Sequence, residues 1–296
     1  MILLDFSDTS AKALRIAPRL FKGAAITAFA KRELKPGVVE KSEIQDGRAL
    51  EQEVRSLLEK AVPAPLKDQE VAFVLHDERT FTLRLNLPAG KADSSLVEAE
   101  IQRVAQFLPV PISSLATAIA GPQFAAVDQK LLTQYLDLFK KLGLKTVLAT
   151  PESQAVFALL ASHLKAGEVS LFLDLGGETT DVVILDNLGV LQTFTETVET
   201  PQLVRGVANV VAFTEEKFGK SPTQIFLGGG GAVDLDQEKF AAAVQRKVTS
   251  VEDILKTLPL KLAVDFGPTR KLGFTTLFGL ALLVKQKDPI NFVSLS

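Results

Sequence analysis

The sequence predicts a two-lobed α/β protein, and three observations support this prediction. Segments typical of strands alternate with amphipathic helical segments along the whole chain. The segment ILLDFSDTSAKALRI, which begins at Ile2, aligns without gaps with LFLDLGGETTDVVIL, which begins at Leu171. Loops rich in glycine or hydroxyl side chains follow apolar strands at three places. The repeated strand–turn–strand pattern indicates two related lobes that face each other, and coincidence between common hairpin patterns is the alternative.

Composition bounds the size and the chemistry of the protein. Its 296 residues suffice for two domains of ~150 residues each. With 33 basic and 35 acidic residues, the formal charge is −2, so the broad basic face of sequence-independent nucleic-acid binding is absent. The chain has no cysteine and only two histidines. Disulfides and cysteine-ligated metals are therefore excluded, and a histidine-based zinc site is disfavoured.

The first half of the chain reads as alternating strands and helices. Asp46 is placed to cap a helix that runs to about Val62, and Asp128 to cap one that stops at Gly143. Further helices are expected at 94–107, which Pro109 ends, and at 152–163. Strands are expected at 2–6, 24–34, 71–75, 81–87, 117–120 and 145–149.

The second half restarts with strands at 169–175 and 181–185, and Asn187 and Gly189 form a hairpin turn into a strand at 190–197. A helix at 202–218 and a strand at 224–227 lead into four consecutive glycines. These two elements place the glycine run at the end of a strand, where backbone can approach a ligand closely.

Membrane insertion is not expected. The N-terminal segment has no basic region before its apolar run and contains Asp5, unlike a signal peptide. The apolar stretch 277–284 is far shorter than the ~20 residues that span a bilayer. We therefore expect a soluble protein that reaches a membrane only through a partner.

The turn after Asp174 has the composition of an anion site. Backbone N–H groups of Gly176 and Gly177 can face a phosphate, and Thr179 and Thr180 can donate hydroxyls. Asp174, at the end of the strand, is placed to hold a water bound to Mg²⁺. A tight turn whose aspartate caps backbone N–H groups is the structural alternative.

The first hairpin and the glycine run repeat this chemistry. Around Asp5 the first hairpin offers Ser7, Thr9, Ser10 and Lys12. The run Gly228 to Gly231 allows close backbone approach by a flat ligand or a phosphate. A solvated lysine is the alternative for Lys12.

These motifs carry a family resemblance. DFSDTSAK, LDLGGETTD and LGGGGA are similar to the phosphate-1, phosphate-2 and adenosine motifs of the actin, Hsp70 and sugar-kinase superfamily. Within it, the chain resembles the FtsA-like PilM family of type IV pilus assembly. VAFVLHDERTFTLRLNLP, EAEIQRVAQFLPVP and FAAVDQKLLTQYLDLFKKLGLKTVLATPES are the more specific segments.

The resemblance implies a two-lobed actin-like (ribonuclease H-like) fold with an inserted FtsA/PilM-type subdomain. It divides the chain into a first lobe at 1–70, the inserted subdomain at 71–150, and a connecting helix with a reduced second lobe at 151–296. Only about fifty residues separate Asp174 from Gly228, about half the usual number for the superfamily. The missing part is the small subdomain that holds adenine and ribose, and Ser7 replaces the usual glycine of the first loop.

The resemblance also implies an ATP and Mg²⁺ cleft between the lobes. Asp5 and Asp174 would hold Mg²⁺ through water, and Glu152 would position the attacking water. The phosphates and the adenosine would be bound by the residues of the three loops: Asp5, Ser7, Thr9, Ser10, Lys12, Asp174, Gly176, Gly177, Thr179, Thr180, Gly228, Gly229 and Gly230. Because of the two departures, ATP binding is expected to be weakened or lost, with at most slow ATP hydrolysis.

The implied function is assembly rather than catalysis. PilM-like proteins bind the cytoplasmic N-terminal tail of the inner-membrane protein PilN, so we expect a PilN-like partner, self-association and a cytoplasmic location at the inner membrane. The peptide would lie against the strands Val71 to Leu87 and the helix Ser94 to Phe107. A small-molecule phosphotransferase of the acetate- or sugar-kinase type is the alternative, and an FtsA-like filament former is disfavoured by the C-terminus.

A few single residues have a simpler interpretation. His76 and His163 are expected to be structural or solvent-facing, and Tyr135 to pack in its helix. The C-terminal motif INF, at 290–292, is faintly similar to the partner's peptide, which suggests that the tail occupies the protein's own or a neighbour's peptide cleft.

Overall fold

The computed structural model describes residues 1–18, 23–88, 93–176, 179–196, 202–267 and 271–293. The expected strand positions are largely confirmed, and the strands at 39–40, 43–44, 123–128, 247–250 and 260–262 are additions. The strands are β1 (Ile2–Phe6), β2 (Ser10–Pro18), β3 (Ala24–Glu33), β4 (Val39–Glu40), β5 (Glu43–Ile44), β6 (Glu70–Leu75), β7 (Thr80–Arg84), β8 (Leu115–Ala120), β9 (Gln123–Asp128), β10 (Lys145–Pro151), β11 (Val169–Leu175), β12 (Thr180–Asp186), β13 (Gly189–Glu196), β14 (Pro222–Gly228), β15 (Lys247–Ser250) and β16 (Leu260–Leu262).

Five of the helices in the described residues begin at a side-chain cap. Asp46 accepts from the backbone N–H groups of Arg48 and Ala49, and Asp128 caps its helix in the same way. The helices are α1 (Gly47–Glu59), α2 (Ser94–Ala105), α3 (Gln129–Lys141), α4 (Glu152–Leu160), α5 (Leu203–Phe218), α6 (Gln237–Val244), α7 (Val251–Leu255) and α8 (Thr275–Leu283). None of the helices in the described part of the chain has the length and apolar character that crossing a bilayer requires.

Two sheets repeat the same arrangement. In the first, the order is β10-β6-β1-β2-β3-β16, and in the second it is β15-β14-β11-β12-β13. The central strand of each pairs antiparallel with the next strand in sequence and parallel with a later one. Leu3 pairs with Leu14 in the first hairpin, and the aligned Phe172 pairs with Val183 in the second. The internal repeat is therefore a repeat of structure and register.

The main core lies between the two sheets. Leu3 and Leu14 of the first sheet and Phe172 and Val183 of the second belong to one buried cluster, together with residues of α4 and α8. Gly279 allows the two helices to cross closely, because a Cβ there would overlap the carbonyl of Ala155. The outer faces of the sheets have separate cores, under α1 and α3 on one side and under α5 on the other.

A third, three-stranded sheet has the order β7-β9-β8 and is covered on one face by α2. The expected boundaries of the inserted subdomain, 71 and 150, fall within β6 and β10. Both of these strands pair within the first sheet, because β6 joins β1 to β10. The part that forms a separate sheet thus comes from the middle of the 71–150 span.

The end of the chain returns to the first sheet. β16 pairs with β3, and the side chains of Ile290 and Phe292 are buried in the core under α1 and α3. The span 151–296 therefore supplies the second sheet and also part of the first lobe. Within the second lobe, only three residues separate α5 from β14, so no further subdomain lies between these elements.

Candidate functional site

A cleft of about 490 Å³ lies between the two hairpin loops. Both loops follow the central strand of their sheet, so the repeated topology places Asp5 and Asp174 on opposite sides of the cleft. The predicted site residues that line it are Asp5, Ser7, Thr9, Ser10, Lys12, Glu152, Asp174, Gly176, Thr179, Gly229 and Gly230.

Two predicted residues are placed away from the cleft. Thr180 is buried and Gly228 faces the core, where a Cβ would collide with Phe172 and Thr275, so neither lines the cleft. Ligand contact by these two residues stays a prediction. Gly177 lies outside the described residues.

The first loop is a tight turn that satisfies its own backbone. The Ser7 N–H donates to the Ser10 carbonyl at 2.8 Å, and the Ser10 N–H donates to Ser7 Oγ at 3.1 Å. The side chain of Ser7 thus accepts the hydrogen bond of the Ser10 N–H, a donor that a glycine at position 7 would leave free for a ligand. The serine that replaces the usual glycine of the first loop therefore removes one backbone donor from the cleft.

Asp8, in the middle of this turn, holds a neighbouring hairpin over the cleft. Its carboxylate accepts from the N–H groups of Lys41 and Ser42 at 2.7 and 3.0 Å. Both of these residues have positive φ angles, which is costly for non-glycine residues and is stabilised here by the carboxylate. Tyr135 donates its hydroxyl to the Ser42 carbonyl, in addition to packing in α3 as expected.

The strand β2 brings a lysine back to the first aspartate. Asp5 is directly opposite Lys12 in the hairpin, and their side chains form an ion pair of 3.0 Å. Burial alone would lower the pKa of Lys12, but the carboxylates of Asp5 and Asp174 raise it above its ordinary value. Lys12 is therefore a resident cation of the cleft rather than a solvated lysine.

The second loop and the glycine run pack against each other. The Gly176 N–H donates to the Thr179 carbonyl at 2.9 Å, and the Gly229 N–H donates to the Leu272 carbonyl at 3.1 Å. At Gly229, whose φ is 84°, a Cβ would collide with the Asp174 carboxylate and the Leu175 backbone. The glycine is needed for contact between the two loops. At Gly230 a Cβ would meet nothing, so this residue leaves backbone open to the cleft.

Asp174 is held in a strongly acidic environment. Burial raises its pKa to about 7, Lys12 opposes this change, and the nearby Asp181 and Asp5 add to it. A carboxyl group with this pKa carries a proton for much of the time at neutral pH. It becomes fully charged as the pH rises well above 7, or at neutral pH where further positive charge, such as a metal ion, enters the cleft.

Glu152 begins α4 at the inner end of the cleft and contacts a histidine. Its carboxylate lies 3.6 Å from His76 Nε2, and Asp181 of the second sheet lies 3.7 Å from the same nitrogen. Burial raises the pKa of Glu152 well above its usual value, while His76 opposes this effect. The pKa of His76 is raised to about 9, first by Glu152 and also by Asp181, Asp77 and Asp5 against the effect of burial.

His76 lines the cleft, a position that the sequence analysis did not predict. Its side chain accepts from the Glu78 N–H, which fits the expected structural role, and it is only 15% exposed rather than solvent-facing. It follows β6, the parallel neighbour of β1, so the carboxyl end of its strand reaches the same edge as Asp5. That placement was the available signal. His163, by contrast, lies away from the cleft and contacts Thr257 at 3.0 Å. Other lining residues that the sequence did not indicate are Asp8, Lys31, Ser42, Glu78, Asp181, Thr195, Gly273 and Thr276.

The fit of the cleft to Mg²⁺ and a nucleoside triphosphate is incomplete. Asp5 and Asp174 provide carboxylates for water-mediated contact with Mg²⁺, although no cluster of three metal-ligating side chains occurs in the described ranges. The N–H groups of Ser7, Ser10, Gly176 and Gly229 all donate within the protein. A phosphate would have to compete for these donors.

The fold is similar to that of several solved structures. The PilM-PilN type IV pilus biogenesis complex contains a chain with 17% identity and a TM-score of 0.77, covering 97% of this chain and 98% of that one. The cytoplasmic domain of EpsL, an inner-membrane component of the type II secretion system of Vibrio cholerae, has 11% identity, a TM-score of 0.53 and coverage of 99% and 97%.

A protein of Bacteroides thetaiotaomicron with an actin-like ATPase fold has 8% identity and a TM-score of 0.51, covering 87% of this chain and 95% of that one. Neither a protein-family model nor a curated relative matches the sequence. The likeness in structure, together with the repeated hairpins and sheets, shows that the chain has the two-lobed actin-like fold that the sequence predicted.

Proposed function

We propose that this protein is a PilM-like assembly protein of a type IV pilus or a related secretion platform, and that it binds the cytoplasmic tail of a PilN-like inner-membrane protein. The observation that carries the proposal is the similarity to PilM over nearly the full length of both chains. The similarity to EpsL of a type II secretion system supports the same class of role. Such a protein works in the cytoplasm and reaches the inner membrane through its partner.

We place the partner on the inserted subdomain, with boundaries revised to 76–128. The expectation that the peptide lies against Val71–Leu75 is wrong for strand addition, because both edges of β6 are already paired. The strand β8, in contrast, is at an edge of its sheet. Four of the seven large hydrophobic side chains that are exposed in the described part of the chain belong to this subdomain: Leu96, Phe107, Val110 and Ile119.

Nucleotide binding is secondary in this proposal. The first loop uses Ser7 to satisfy its own backbone, and Asp5 has Lys12 as its counter-ion. These contacts support a cleft in which ATP binding is reduced and turnover, if retained, is slow. Should Mg-ATP bind, Asp5 and Asp174 would hold the hydrated Mg²⁺, whose chemistry is neutralisation of phosphate charge.

The test is calorimetric titration of the protein with a synthetic peptide of the N-terminal cytoplasmic tail of the PilN-like protein from the same cell. We expect the wild-type protein to bind the peptide. Phe107→Asp should lower the affinity by about tenfold or more, because a charge would replace an apolar contact. Leu188→Asp is the matched control, since Leu188 is also exposed but lies on the second lobe. Absence of peptide binding to the folded wild-type protein would refute the proposed function. Equal loss in both variants would refute the proposed surface.

A further inference from the structure

His76 lies where three separate parts of the protein meet. It follows β6 of the first sheet, while Glu152 starts α4 and Asp181 belongs to β12 of the second sheet. The two carboxylates approach the same imidazole nitrogen, Nε2, at 3.6 and 3.7 Å. The side chains of His76 and Glu152 are only 15% and 16% exposed. The contacts from His76 thus join the lobes inside the cleft, partly shielded from water.

The internal repeat shows why this contact crosses the cleft. Lys12 and Asp181 occupy aligned positions of the two hairpins. Each is paired in register with the equivalent aspartate of its own repeat, Asp5 or Asp174. In the first hairpin the pair is therefore a lysine with an aspartate. In the second it is two aspartates, so the second lobe lacks an internal cation at this position.

The charge that balances Asp181 comes from the first lobe. Among the described residues of its own sheet, the side-chain donor to Asp181 is a neutral one, the Thr195 hydroxyl at 2.6 Å. Close carboxyl groups that are removed from water either take up a proton or share a cation, because their mutual repulsion is poorly screened there. His76 is the positively chargeable group within 4 Å of both Glu152 and Asp181 among the ion pairs of the described residues.

The hydrogen bond on the other side of the ring favours the neutral form only weakly. His76 Nδ1 accepts from the Glu78 N–H at 3.3 Å, and protonation of Nδ1 gives up this long bond. The groups that attract the charged ring are Glu152 from α4, Asp181 from β12, Asp5 from β1 and Asp77 beside it in the chain. Together these acidic groups raise the pKa of His76 to about 9, so the ring carries a proton at neutral pH.

We propose that His76 is a positioning residue that holds the two lobes together across the cleft through Glu152 and Asp181, without any bound ligand. The bridge fixes Glu152 at the inner end of the cleft and limits the separation of the hairpin loops. A ligand that enters the cleft encounters lobes that are already joined. This inference concerns the isolated chain and does not depend on the proposed partner.

The test measures the distance between the lobes in the absence of nucleotide and peptide. Because the chain has no cysteine, Lys60→Cys and Glu216→Cys give two unique sites for spin labels, on the exposed surfaces of α1's end and of α5. We expect a narrow distance distribution at pH 7 that broadens by about twofold or more in His76→Ala. His76→Lys, which keeps the positive charge, should restore the narrow distribution, and His163→Ala should leave it unchanged.

The pH dependence provides a second readout. The chain has only two histidines, so both imidazoles can be followed by NMR, with His163→Ala assigning the signals. The His76 signal should titrate near pH 9, and the distance distribution should broaden over the same range, whereas His76→Ala should show no such change. An unchanged distribution in His76→Ala overturns the proposal. So does a folded His76→Lys variant that behaves as His76→Ala, and a wild-type distribution that stays narrow above pH 9 overturns it without any substitution at His76.

Discussion

The C-terminal segment provides the sharpest test of the packing, through the substitution Phe292→Ala. Phe292 is 2% exposed and belongs to the core under α1 and α3. Its N–H donates to the Ala149 carbonyl at 2.9 Å, and Asn291 bonds to the backbone of Val147 and Ala149, both at 3.1 Å. The segment therefore covers the free edge of β10, which is on the protein's own first lobe.

The expected loss of stability in Phe292→Ala follows from the area that the phenylalanine side chain buries. A phenylalanine that buries ~200 Å² contributes ~5 kcal/mol at ~25 cal/mol per Å², and truncation of buried phenylalanine costs ~3–5 kcal/mol. We expect Phe292→Ala to lower the free energy of unfolding by an amount in this range. Phe107→Ala is the matched control, because Phe107 is 68% exposed and should cost at most ~1.5 kcal/mol on the same scale.

Urea unfolding followed by circular dichroism measures both variants, with the m-value showing whether the transition stays two-state. A loss below ~1 kcal/mol for Phe292→Ala, or equal losses in the two variants, would refute the docking of the segment on β10. A loss of the expected size would show that the segment is part of the first-lobe core. Removal of the C-terminal segment would then lower the stability of the first lobe, whether or not the segment has a role in peptide binding.

The remaining predictions concern the cleft. The folded-state pKa of Asp174, about 7, lies above its unfolded value of 3.8, so its contribution to stability is present below pH 3.8 and is lost as pH rises through 7. Asp174→Asn should remove this loss, which has a ceiling of ~4 kcal/mol, and stabilise the protein at pH 8 but not at pH 3.5 in thermal unfolding. Ser7→Gly should strengthen Mg-ATP binding in calorimetry by freeing the Ser10 N–H, and Asp174→Ala should abolish any binding that the wild-type protein shows. An affinity unaffected by Ser7→Gly would contradict the role given to that side chain.

Local signals predicted the elements that are determined by local interactions. Asp46 and Asp128 start their helices because each carboxylate accepts hydrogen bonds from free N–H groups of the first turn. This local contact does not depend on where the helix packs in the fold. The two hairpins were visible as a repeat because matched registers require matched apolar alternation. The family resemblance, in turn, implied that Asp5 and Asp174 share one cleft, and both residues line it.

Contacts between distant segments left much weaker signals. The sequence gives no indication that β10 pairs with β6, since a parallel partner can lie anywhere along the chain. The pairing of β16 with β3 involves only three residue pairs, which is too short a segment to form a recognisable strand pattern. The burial of Phe292 likewise depends on a short extended segment. The proposed boundaries of the inserted subdomain depend on the pairing of β10 with β6, and the other two contacts bring the end of the chain back to the first sheet and its core.

The composition of the cleft could be predicted, but its charge balance could not. The glycines and hydroxyl residues around Asp174 predicted a site whose charge is balanced only when an anion and a metal ion bind. In the structure, Lys12 already balances Asp5, and His76 lies between Glu152 and Asp181. Each contact joins residues whose closeness follows from strand pairing or from the approach of the lobes. A cleft whose charges are balanced from within gains less from a nucleotide, because the ligand must replace ion pairs that exist before it binds.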